Sequence, residues 1–148
     1  MRPTRILAIA GLAAGGLLVA GAGSALAVPS ELTATERVTA KRTVSLKEWS
    51  VTPNRNRVKR GKVKFVVRNV GTELHNFVVI RTRKGAANLP LTRNGLKAKE
   101  KGRVGKIRSF RPGQKRTIRL KLPKGSYALI CNIPGHYESG MFIDLKVK

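Results

Sequence analysis

The chain has 148 residues, 41% of them hydrophobic, which is enough for one compact domain with its own core and excludes wholesale disorder. Its 31 lysines and arginines stand against seven acids, a formal net charge of +24 that attracts acidic partners and polyanions but is silent on fold. One cysteine excludes an intrachain disulfide scaffold.

The N-terminus reads as a secretory signal. Arg2 and Arg5 precede an unbroken apolar and glycine stretch over residues 6–20, and Ala25-Leu26-Ala27 offers small residues where a signal peptidase inspects the chain. We therefore expect residues 1–27 to be removed and the protein to be exported, to a periplasm, an extracytoplasmic surface or the medium. An uncleaved membrane anchor is the alternative, because residues 6–28 are of a length that can span a bilayer. Glycine content and the cleavage site favour removal. Residues 28–41 are polar and aperiodic, a flexible N-terminal segment, and residues 42–148 form the domain proper.

From Arg42 onward the pattern is that of β-strands. Val63, Phe65 and Val67 alternate with other residues, as do Ile118, Leu120 and Leu122, and then Ile143, Leu145 and Val147. A period of two over short runs places one strand face in a core and the other in water. Turn residues punctuate these runs at Pro53-Asn54, Arg60-Gly61, Val70-Gly71, Pro112-Gly113, Lys124-Gly125 and Pro134-Gly135. Only residues 89–99 suggest a short helix. The expectation is an all-β domain, an antiparallel sandwich of about seven or eight strands. Residues 81–124 hold 16 basic residues and one acid, Glu100, and residues 83–105 are long for a loop, which predicts partial mobility.

Scarce residues carry the chemistry. The chain has two histidines, one cysteine and, after Met1, one methionine. Three of these four fall at five-residue steps in Cys131-Asn-Ile-Pro-Gly-His136-Tyr-Glu-Ser-Gly-Met141, and His75 precedes the apolar run of residues 77–80. A thiolate, two imidazoles and a weak axial thioether make the donor set of a type 1 copper site. Tyr127, Leu129 and Cys131 share a strand face, which brings the thiol in from the core side. Pro134 and Gly135 shape the turn to His136, and Gly140 lets the backbone pass closely before Met141. Structural zinc fits less well, since methionine is a poor zinc ligand. A Cys-His nucleophile leaves Met141 unexplained. Singly, His75 reads as a structural histidine and Met141 as core; jointly they read as ligands.

Three blocks resemble the cupredoxins, of the small plastocyanin-like or sulfocyanin-like bacterial type. They are Leu46-Lys-Glu-Trp-Ser-Val-Thr-Pro53 with Gly61-Lys-Val-Lys-Phe-Val-Val-Arg-Asn-Val-Gly71, then His75-Asn-Phe-Val-Val79, then Gly125-Ser-Tyr-Ala-Leu-Ile-Cys-Asn-Ile-Pro-Gly-His-Tyr-Glu-Ser-Gly-Met141. The resemblance implies a Greek-key β-sandwich with one type 1 copper ion at one end, bound by His75, Cys131, His136 and an axial Met141. It implies that Asn76 ties the ligand loop to the neighbouring strand. It also makes His136 the edge by which an electron leaves, with Pro134 and Tyr137 on the docking rim. The basic residues 83–108 depart from the family pattern.

The function expected is a one-electron carrier without substrate turnover, a monomer meeting acidic redox partners and associating with anionic membrane or cell-wall polymers. Copper carriage or buffering without a dedicated redox partner is the alternative, and no extra methionine or histidine cluster supports it. An adhesive polyanion-binding module is a third reading. Nucleic acid is not expected as a partner, because aromatics do not interleave the basic residues.

Overall fold

A computed structural model describes residues 37–148, so the expected signal and most of the N-terminal segment lie outside the described residues. Nine strands follow in chain order: β1 (Ala40–Lys47), β2 (Ser50–Pro53), β3 (Arg57–Val58), β4 (Gly61–Asn69), β5 (His75–Arg81), β6 (Arg103–Phe110), β7 (Lys115–Leu122), β8 (Gly125–Ile130) and β9 (Phe142–Val147). They form two sheets, ordered β2-β1-β4-β7 and β3-β9-β8-β5-β6. The count exceeds the expected seven or eight because β3 is a two-residue strand with no alternation to betray it.

Nor are the sheets purely antiparallel. β1 runs parallel to β4, and β3 runs parallel to β9. The chain turns tightly from β1 to β2, crosses to the other sheet for β3, and returns to lay β4 along the free side of β1. That route leaves β1 and β4 pointing the same way.

The core follows from the alternation. Val44, Leu46, Val63, Phe65 and Val67 of one sheet face Phe77, Val79, Tyr127, Leu129, Leu145 and Val147 of the other, all buried. Phe65 and Phe77 meet with ring centroids 5.6 Å apart, a pair adding roughly 0.5–1.5 kcal/mol to the burial itself.

β5 and β8 are also buried on their outer face, where Val78, Ile80, Ala128 and Ile130 pack under Ala86, Leu89, Ala98 and Tyr137. The cover is the segment expected to be mobile, which corrects that expectation. It is held by the Leu91–Ala98 bridge, by the Asn132 amide on both backbone groups of Ala98, and by the Tyr137 hydroxyl, which donates to Ala86 O and accepts from Leu89 N–H. The helix expected over residues 89–99 does not form. A single 3-10 turn, Ala86–Asn88, lies just ahead of it, while Pro90 and Gly95 interrupt the segment and its backbone pairs across Leu91 and Ala98 instead.

Candidate metal centre

Sheet pairing assembles the site. β5 and β8 run antiparallel with Val78 opposite Ile130, so the start of β5 lies beside the residues that follow β8. His75 opens β5, and Cys131 comes directly after β8. β8 and β9 form the next pair, with Ile130 opposite Phe142, which closes residues 131–141 into a loop. Cys131 N–H donates to Met141 O at 2.9 Å across its base. Within the loop, His136 N–H donates to Ile133 O at 3.0 Å and Met141 N–H to His136 O at 3.1 Å. Gly135 and Gly140 take positive φ of 82° and 108°, backbone conformations that favour glycine.

Both imidazoles present Nδ1 to one sulfur. Cys131 Sγ lies 3.8 Å from His75 Nδ1 and 3.6 Å from His136 Nδ1, and the donor atoms of these residues lie within 4.8 Å of one another. Cys131, His75 and Met141 are wholly buried, and Met141 packs in the core cluster that holds Cys131. Burial pushes the Cys131 thiol pKa up, while the Ile133 and Asn76 amides, aimed at the sulfur, oppose that rise. His136 is lowered, first by burial and then by its neighbour His75, with Glu73 and Glu48 acting against both. A soft thiol, two imidazoles and a buried thioether at one closed end of the sandwich fit copper, whose binding would displace the thiol proton.

Asn76 spans the two sides of the site. Its backbone N–H points at Cys131 Sγ at 3.4 Å, and its side-chain Oδ1 accepts from Asn132 N–H at 2.7 Å. The Asn132 side chain reaches in turn to Ala98 and Glu100. Burial opposes ionisation of Glu100, but Lys106, Asn132 and Arg103 hold its carboxyl down at about 2.

The rim differs from expectation. Pro134 is exposed beside His136 and lines a concavity with Leu74, Ile133, Lys97 and Arg108. Tyr137 is not on that rim. Only 4% exposed, it turns into the outer cluster, because its ring packs on Phe142 and its hydroxyl satisfies buried backbone. His136 itself is just 8% exposed, with the Trp49 indole against its ring at 5.2 Å, edge to face.

Three contacts escaped the sequence reading. Glu48 Oε1 lies 2.9 Å from His75 Nε2, Glu73 Oε2 lies 3.4 Å from His136 Nε2, and Trp49 shields His136. Glu48 and Trp49 sit in the β1–β2 turn, distant in sequence from either histidine. The only signal was an acid in a chain with very few, inside a block that already carried the cupredoxin resemblance.

The sulfocyanin (SoxE) domain family matches residues 108–148, the stretch that holds Cys131, His136 and Met141. No curated protein matches the chain. Among solved structures, reduced auracyanin of Roseiflexus castenholzii is similar at 19% identity and TM-score 0.55, over 74% of this chain and 97% of that one. Auracyanin A of Chloroflexus aurantiacus, a blue copper protein, is similar at 20% identity and TM-score 0.53, over 73% of this chain and 98% of its own. Rusticyanin of Thiobacillus ferrooxidans is similar at 18% identity and TM-score 0.51, over 76% and 79%. The fold is therefore the cupredoxin fold.

Proposed function

We propose that the chain is an exported type 1 copper protein that carries one electron at a time and turns over no substrate. The observation that carries this reading is the convergence of His75 Nδ1 and His136 Nδ1 on Cys131 Sγ in a buried pocket of the sandwich. His75, His136 and Cys131 would hold the ion, with Met141 as the weak axial donor. Bound there, copper supplies a Cu(II)/Cu(I) couple that accepts and returns one electron. The protein contributes rigidity: hydrogen bonds across the 131–141 loop and from Asn76 hold the donors in one arrangement for both oxidation states.

The electron would pass at the His136 end. There the concavity offers an apolar surface from Leu74, Ile133 and Pro134, flanked by Lys97 and Arg108, which suits an acidic protein partner. Such a partner would be steered by the large excess of basic residues, and its association should weaken as salt rises. The same charge supports association with anionic membrane or wall polymers. We take the protein to act as a monomer, directed outward by residues 1–27.

The test is optical. One equivalent of Cu(II) should produce an intense visible thiolate-to-copper band that bleaches with ascorbate and returns on reoxidation. A colourless complex, or a band indifferent to ascorbate, refutes the proposal.

A further inference from the structure

The β1–β2 turn places a carboxylate behind His75, at the nitrogen turned away from Cys131. Glu48 Oε1 accepts three hydrogen bonds: from Thr72 N–H at 3.0 Å, from Glu73 N–H at 2.9 Å and from His75 Nε2–H at 2.9 Å. One oxygen thus joins the β1–β2 turn, the loop leading into β5, and the imidazole. The side chain is only 17% exposed.

Gly71 makes the arrangement possible. A Cβ at that position would collide with both Glu48 carboxylate oxygens and sit 2.7 Å from Glu48 Cδ. Gly71 N–H donates to Asn69 Oδ1 at 3.0 Å, so the loop is fixed from a second side. Its φ is not among the positive ones, so the need for glycine here is room for the carboxylate. His136 differs: its outer nitrogen meets Glu73 at 3.4 Å, and that side chain is 50% exposed.

Building on the copper reading above, we infer that Glu48 is a positioning residue that fixes the tautomer of His75 and, through its charge, strengthens that imidazole as a donor and biases the site toward Cu(II). The first half is geometric. A carboxylate oxygen already accepting two amides can only accept from Nε2, so the ring proton stays on Nε2 and the Nδ1 lone pair faces Cys131. The second half is electrostatic. A negative charge hydrogen-bonded to a ligand ring raises the basicity of its other nitrogen and favours the more highly charged ion. Reduction adds one electron to the ion and moves no proton here, since Nε2–H remains on His75 in both states.

Glu48→Gln keeps an oxygen acceptor at the same place and removes only the charge, whereas Glu48→Ala and Gly71→Ala remove or expel the acceptor. The first measurement needs no copper: nitrogen-resolved NMR of the His75 ring in the metal-free protein. It should show the Nε2–H tautomer in wild type and in Glu48→Gln, and a mixture of tautomers in Glu48→Ala and Gly71→Ala. The second is the reduction potential of the copper-loaded proteins. Glu48→Gln should keep the visible band and shift the Cu(I)/Cu(II) preference about tenfold toward Cu(I), a rise of about 59 mV for one electron. A fixed Nε2–H tautomer in Glu48→Ala overturns the positioning role, and an unchanged potential in Glu48→Gln overturns the electrostatic one. If wild type takes up copper without a thiolate band, the copper reading fails while the NMR result still judges Glu48.

Discussion

Asn76→Ala is the substitution whose cost follows most directly from the geometry. It removes the acceptor of a 2.7 Å bond and leaves Asn132 N–H without that partner in a buried position. An orphaned buried amide costs about 1–3 kcal/mol, and the lost side-chain atoms add a fraction more. Taking about 2 kcal/mol, the melting temperature of the metal-free protein should fall by roughly 8 °C for a domain of this size. Asn76 N–H survives the substitution, so its contact with Cys131 Sγ, and hence the energy of the visible band, should change little. The effect should instead be one of rigidity: the Asn132 amide should exchange faster with solvent, and copper should leave faster to a chelator. Thermal unfolding, amide exchange and chelator competition on the same samples read all three. A fall of less than 2 °C with Asn132 still protected would refute the idea that this bond pins the ligand loop.

Cys131→Ser should abolish the thiolate band while the far-ultraviolet spectrum keeps its β signature, because the site closes a sandwich that the core already holds. Met141→Leu is nearly volume-conserving, so it should cost less than about 1.5 kcal/mol, retain the visible band and raise the reduction potential; loss of all copper binding would show that Met141 is more than an axial donor. The Glu100 carboxyl, held at about 2 against 4.5 for the free side chain, contributes stability that is complete above pH 4.5 and is lost as pH falls through 2. Partial solvent screening brings that contribution to roughly 1 kcal/mol. Denaturant titrations of Glu100→Gln and wild type should therefore differ at pH 6 and converge near pH 2, and equal differences at both would refute the assignment.

The sequence exposed the candidate ligands because those residue types are scarce, and it exposed the main core because Phe65, Val67 and Leu145 lie on clean alternations. It misjudged whatever depends on a second layer. The run Phe77-Val-Val-Ile80 breaks the alternation because β5 is buried on both faces, and an unbroken apolar run of that kind calls for something to cover its outer side. The cover is Ala86, Leu89 and Ala98, apolar residues scattered through a lysine-rich segment whose charge suggested a solvated loop. Tyr137 was misplaced for the same reason: beside His136 in sequence, it points away from the site once that outer layer exists. Glu48 was invisible because its partners Thr72, Glu73 and His75 lie beyond three intervening strands, and no local spacing encodes a contact made by sheet stacking.

The placement of Glu48 and Glu73 bears on a tension between surface and site. Seven acids face 31 bases in this chain, yet two of the seven stand at the outer nitrogens of the two histidines. A net charge of +24 disfavours the more positive ion, so alone it would draw the couple toward Cu(I). Distance decides which influence dominates. At physiological ionic strength exposed charges are screened over about 8 Å, so most of the lysines and arginines act weakly at the metal. The Glu48 carboxylate, partly exposed but only 2.9 Å from His75 Nε2, is screened less. On the proposed reading the two populations of charge would serve separate ends: the exposed bases would govern encounter, and Glu48 would govern the couple. Raising salt from about 10 mM to about 1 M shortens the screening length from about 30 Å to about 3 Å. Over that range electron transfer to an anionic oxidant such as hexacyanoferrate should slow at least tenfold, while the reduction potential moves by far less than the 59 mV of a tenfold change in the couple. A potential that tracked salt as steeply as the rate would mean that the surface bases, and not Glu48, set the balance at the site.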